Sequence, residues 1–170
     1  MRKNLIPKEY EKFSLGKSIG FCKEVSTPQQ IKKEIDKLLK ALRDSDISHK
    51  NIVVTKVCGR NTYKKTVTME VQIVIDQLLE NLHSVLDSHN YILNNNVIIK
   101  AGLMISIPND MEKFNQAIKA FMKMETNENV QINQYNVQAN HIIEVSHIAY
   151  DGTVMGFDLY LETGGINNDK

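Results

Sequence analysis

Residues 27–44 read TPQQIKKEIDKLLKALRD, and residues 109–127 read NDMEKFNQAIKAFMKMETN. Each stretch opens on a side chain suited to an N-cap, Thr27 or Asn109, with Gln30 or Glu112 three residues later. Pro28 adds the fixed φ favoured at a first helical position. Behind the first cap, Ile31, Ile35, Leu38, Leu39 and Leu42 recur with the roughly 3.6-residue helical period; behind the second, Phe114, Ala117, Ile118, Phe121 and Met122 do the same. Lys32, Lys33, Glu34, Lys37 and Lys40 fill the other faces of the first stretch. The spacing predicts helices from about Pro28 to about Asp44, and from Asp110 to near Thr126 and Asn127.

Working outward, extended segments bracket both helices. Lys17–Val25 carries Ile19, Phe21 and Val25, and Ile52–Val57 is β-branched. Thr66–Ile75 sets Val67, Met69, Val71, Ile73 and Ile75 on one face. Gly59-Arg60-Asn61 reads as the hairpin turn between the last two. In the second half, Val97–Ile107 reads as one strand with a bulge at Gly102, followed by Ile142–Ala149 and Val154–Leu161 around an Asp151-Gly152 turn. The stripe Leu78, Leu79, Leu82, Val85 and Leu86 suggests a helix or helical linker. Val130–Val137 suits a strand or an ordered loop, and 164–170 a frayed polar tail.

Both halves thus repeat one order, with Thr27 and Asn109 lying 82 residues apart. The expected fold is α+β: a single domain over 1–163, built of duplicated strand-helix-strand-strand units at about 15–76 and 96–163. Together they form one antiparallel-rich sheet with two helices on one face, leaving the other face as a groove. The helical stripes should bury against Val71, Ile73, Ile105, Ile143 and Leu159 or their alternating neighbours.

Composition narrows the function. Among 170 residues, 21 Lys plus Arg against 20 Asp plus Glu leave a net charge of +1, unlike a protein that coats nucleic acid. No apolar run approaches the ~20 residues of a membrane span, and the start MRKNLIPKEYEKF lacks the apolar core of a signal peptide. Two cysteines, Cys22 and Cys58, are too few for a disulfide framework and read as small core residues. A cytoplasmic location is expected. The histidines at 49, 83, 89, 141 and 147 lack metal-ligand spacing, and no phosphate-binding loop or nucleophile elbow occurs. Lys56, Arg60, Lys64 and Lys65 cluster around the first hairpin with Tyr63 as their one aromatic, which suits edge protection or steering of an acidic partner.

One local pattern is sharper. Ile142-Ile143-Glu144-Val145-Ser146 is followed by Asp151-Gly152 and by Phe157-Asp158-Leu159-Tyr160-Leu161. With the duplicated order, this resembles the GyrI-like superfamily, the effector-binding domain of bacterial transcription activators, of which the SOUL family is a relative. The resemblance implies a groove between the repeats in which a strand Glu contacts cationic, often aromatic, ligands. It puts that role on Glu144, with Ser146 (where the family carries an aromatic) and Tyr160 as further ligand-binding residues. No helix-turn-helix precedes the domain, so a transcription-activator role is not implied. The chain is also similar in size, element order and composition to small Gram-positive proteins encoded beside type VII secretion toxins.

Strand alternation places Ile142, Glu144, Ser146 and Ile148 on one face and His141, Ile143, Val145 and His147 on the other. There Glu144 is either solvated, paired with a Lys, or held in a partly apolar groove with a raised pKa. The expected function is a non-catalytic module, without cofactor or metal, that holds a small organic cation or a peptide segment. The alternative is an accessory or chaperone-like protein for a type VII secretion toxin or related partner. A hydrolase of the GyrI-like kind would need Glu144 with help from Tyr150 or Tyr160. Neither nucleic acid nor membrane is an expected partner.

Overall fold

A computed structural model describes residues 6–76, 91–128, 142–149 and 151–162. The first helix, α1 (Pro28–Asp44), buries Ile31, Leu38, Leu39 and Leu42, members of the stripe read from its sequence. Its start differs from expectation. Thr27 makes no side-chain cap bond; instead Gln30 Oε1 reaches back and accepts from the Ser26 backbone N–H at 2.7 Å. In α2 (Met111–Glu128) the capping residue is Asp110 rather than Asn109. Asp110 Oδ1 accepts from the backbone N–H groups of Glu112 at 3.0 Å and Lys113 at 3.2 Å.

The strands are β1 (Lys8–Tyr10), β2 (Phe13–Val25), β3 (His49–Asn61), β4 (Thr66–Ile75), β5 (Ile92–Ile99), β6 (Gly102–Pro108), β7 (Ile142–Ile148) and β8 (Val154–Glu162). They form one eight-stranded sheet in the order β1-β6-β8-β7-β3-β4-β2-β5. Every pairing is antiparallel. Outward from the β3–β7 seam the order is β3, β4, β2 on one side and β7, β8, β6 on the other. Each half therefore lays down its strand-helix-strand-strand run in the same way, and the fold is α+β.

Both helices cover one face. Residues paired across antiparallel strands point to the same side, so the register assigns the faces. Ile142 packs in the α2 core with Ile105, Ile107, Phe121, Leu159 and Leu161. Ile148, on the same side of β7, packs in the α1 core with Leu38, Leu42, Val53, Val71 and Ile73. Ile143 points the other way, so its neighbour Ile142 supplies the contact with α2.

The second face is not an open groove. β1 and β2 are separated only by Glu11 and Lys12, and β5 and β6 only by Lys100 and Ala101. These two long runs lie side by side: Lys8 pairs with Met104, Tyr10 with Gly102 and Phe13 with Ile99. The sheet therefore curls until its ends meet, enclosing a third core of Val54, Val74, Val97, Ile99, Val145 and Tyr160. The corner at Lys100–Ala101 breaks the expected Val97–Ile107 strand in two, because the chain must bend there to follow the closing sheet.

Other boundaries shift for local reasons. The β3–β4 turn lies at Thr62–Lys65, where Asn61 Oδ1 accepts from the N–H groups of Tyr63 and Lys64, and Lys65 adopts φ 55°. Gly59 stays within β3, beside a register shift. Asp151-Gly152 does turn the chain, with Gly152 at φ 90°. Cys22 and Cys58 are exposed rather than core, because each falls on a polar stretch of its strand. Among the described residues no helix is long and apolar enough to cross a membrane. The readings of 78–86, 130–137 and 164–170 lie outside the described residues.

Candidate functional site

Glu144 sits at the middle of β7, between Ile142 of the α2 core and Ile148 of the α1 core. The seam is thus a polar strip where two apolar cores adjoin. Across it Glu144 pairs with Thr55 of β3 on one side and Leu159 of β8 on the other. Thr55 and Ser146 are both buried. The Ser146 hydroxyl donates to Glu144 Oε1 at 3.1 Å.

Burial pushes the Glu144 carboxyl above the usual carboxylate range, and the Ser146 hydrogen bond offsets this in part. Among the described residues no Lys, Arg or His pairs with it; their ion pairs are Lys23–Glu34, Lys37–Glu34, Lys40–Asp44 and His147–Asp158. Of the settings open to this carboxyl on the sequence, the geometry matches the partly apolar one. Desolvation disfavours the charge on such a carboxyl, and a cation placed beside it would compensate that charge.

Two aromatic rings flank the strip. Phe157 of β8 stands directly across from Ser146, on the helix-covered face. Phe114 of α2 packs against it with ring centroids 4.9 Å apart and planes inclined by 57°. Neither ring was legible as a site residue, since both belong to patterns that also explain core packing.

Of the three expected site residues, Glu144 and Ser146 are brought together and Tyr160 is not. Tyr160 follows Leu159, so alternation turns it into the enclosed core on the opposite face. There its ring meets Tyr10 at 4.9 Å and Phe13 at 5.4 Å. Burial, with Asp158 adding to it, pushes the Tyr160 hydroxyl up to about 12.

No family model, curated protein or solved structure matches the chain.

Proposed function

We propose that the protein is a non-catalytic binding module that holds a small organic cation on Glu144, in the seam between its two halves. The observation that carries this reading is the pairing of a half-buried, desolvated carboxyl with a single hydroxyl donor and no basic partner among the described residues. An ammonium or iminium group arriving there would displace the carboxyl proton and supply the missing counter-charge. The Phe114–Phe157 pair favours a planar aromatic cation, whose charge gains from a ring face or edge nearby. The resemblance of Ile142–Ser146 to the GyrI-like motif points to the same ligand class.

Titration calorimetry with ethidium, run in two buffers of different ionisation enthalpy, tests this. Micromolar binding is expected, accompanied by proton release at a pH where Glu144 is still neutral, and lost in Glu144→Gln. Absence of binding, or equal binding by a folded Glu144→Gln variant, would overturn the reading.

A further inference from the structure

At one end of the closed sheet, on the face opposite Glu144, lies a cavity of about 300 Å³. Its size is at the small end of the roughly 300–1,000 Å³ range of small-molecule sites. The floor is apolar, formed by Val54, Val97, Ile99 and Ile143, while Lys56, Glu70, Gln72, Asn96, Lys100 and Glu162 supply a polar wall.

Part of this wall is already committed internally. Gln72 Oε1 accepts from the Ser18 hydroxyl at 2.5 Å and the Asn94 amide at 3.1 Å, while its own amide donates to Glu70. The Cys58 thiol donates to the other Glu70 oxygen at 3.5 Å. These bonds tie up Glu70 and fix the wall without any ligand. Asn96 Oδ1 accepts from Ser14.

What remains uncommitted has a definite chemistry. Glu162 is 8 % exposed; one carboxylate oxygen accepts from the Lys100 backbone N–H at 2.8 Å. Its other oxygen takes no hydrogen bond among the described residues. Among the described residues the ammonium groups of Lys56 and Lys100 make no ion pair, and the Asn96 side-chain amide has no acceptor. Among the described residues the cavity thus offers one open acceptor on a buried carboxylate and three open donors, two of them charged, over an aliphatic floor.

We infer that this cavity binds a free α-amino acid with an aliphatic side chain. Its carboxylate would meet the Lys56 and Lys100 ammoniums and the Asn96 amide. Its ammonium would meet the open oxygen of Glu162, and its side chain would lie on Val54, Val97, Ile99 and Ile143. A zwitterion satisfies both signs of the wall at once, whereas a simple anion or cation leaves one side facing an uncompensated group. This site is independent of Glu144, since the two lie on opposite faces of the sheet.

The test is a thermal-shift and calorimetric series on the full chain with L-leucine, L-valine and L-methionine, alongside N-acetyl-leucine and leucinamide. At least one free amino acid should bind, and blocking either charged end of leucine should weaken it by about tenfold or more, the loss of one charge-assisted contact. Lys56→Met and Asn96→Ala, both placed on partly or fully exposed side chains, should weaken amino-acid binding while leaving ethidium binding unchanged. The inference fails if none of the three amino acids binds. It also fails if the blocked derivatives bind as tightly as leucine, or if both folded variants bind it like the parent.

Discussion

Thr55 of β3 and Glu144 of β7 stand directly opposite one another across the seam that joins the two halves of the sheet. Both point toward the helix-covered face, where the cores beneath α1 and α2 adjoin. A hydroxyl and a carboxyl therefore meet where continuous packing would call for two aliphatic side chains. Such an interruption costs stability, which makes the seam the place where stability and ligand binding should trade against each other.

Glu144 should make stability fall as pH rises. Its folded-state pKa lies above its unfolded value of about 4.3, so the native state holds the proton more tightly than the unfolded chain. The stabilisation is fully present below the unfolded pKa and is lost as pH climbs through the folded one. Glu144→Gln, which cannot ionise, should melt close to the parent near pH 4 and increasingly above it as pH rises. Melting curves across that range check this; a gap that narrows with pH would contradict the assignment.

The two helix-packed cores should fail independently. Leu38 in the α1 core and Phe121 in the α2 core are both fully buried. Leu38→Ala should cost ~2–5 kcal/mol and Phe121→Ala ~3–5 kcal/mol in urea denaturation. They belong to separate clusters, so in a two-state transition the double variant should lose nearly the sum.

Two strand glycines should respond in opposite ways. A Cβ on Gly20 would lie 2.0 Å from the Val71 carbonyl oxygen, a backbone atom that cannot step aside without disturbing the β2–β4 ladder. At Gly59 nothing lies within 4 Å of the same position. Gly20→Ala should destabilise by ~1–3 kcal/mol or prevent folding, while Gly59→Ala should stay within ~0.5 kcal/mol of the parent. Chemical denaturation of the pair measures the contrast.

Helix caps provide a further pair. Asp110 caps two N–H groups of α2 while the Thr27 hydroxyl caps none in α1. Asp110→Ala should cost ~1 kcal/mol and Thr27→Ala only a few tenths, although both residues precede a helix. Removing the Gln30 side chain should be felt at α1 instead, through the lost bond to Ser26.

The local elements were legible because each rests on a short-range signal. The Thr27-Pro28 start and the stripe from Ile31 to Leu42 placed α1, and the alternation from Thr66 to Ile75 placed β4 with its correct helix-facing side. Phase is ambiguous where two adjacent residues suit one role equally. Asn109 and Asp110 are both good caps, and Ile142 and Ile143 are adjacent aliphatic residues that strand alternation must send to opposite faces. Strand ends at Phe13 and Ile92 were missed because β2 and β5 extend to pair with each other, a long-range requirement that leaves no mark in either segment.

By itself the sequence determined the α+β class, the duplicated order and the polar interruption at Glu144, since hydrophobic period, turn chemistry and alternation are properties of neighbouring residues. The tertiary structure alone decided that the sheet closes on itself. It also decided that Tyr160 belongs to the enclosed core, that Phe157 and Phe114 stand beside Ser146, and that Lys56, Asn96 and Glu162 line one cavity. Those residues come from strands far apart along the chain. Only the register and curl of the sheet set which side chains share a face, and no pattern within one strand encodes its partner's register.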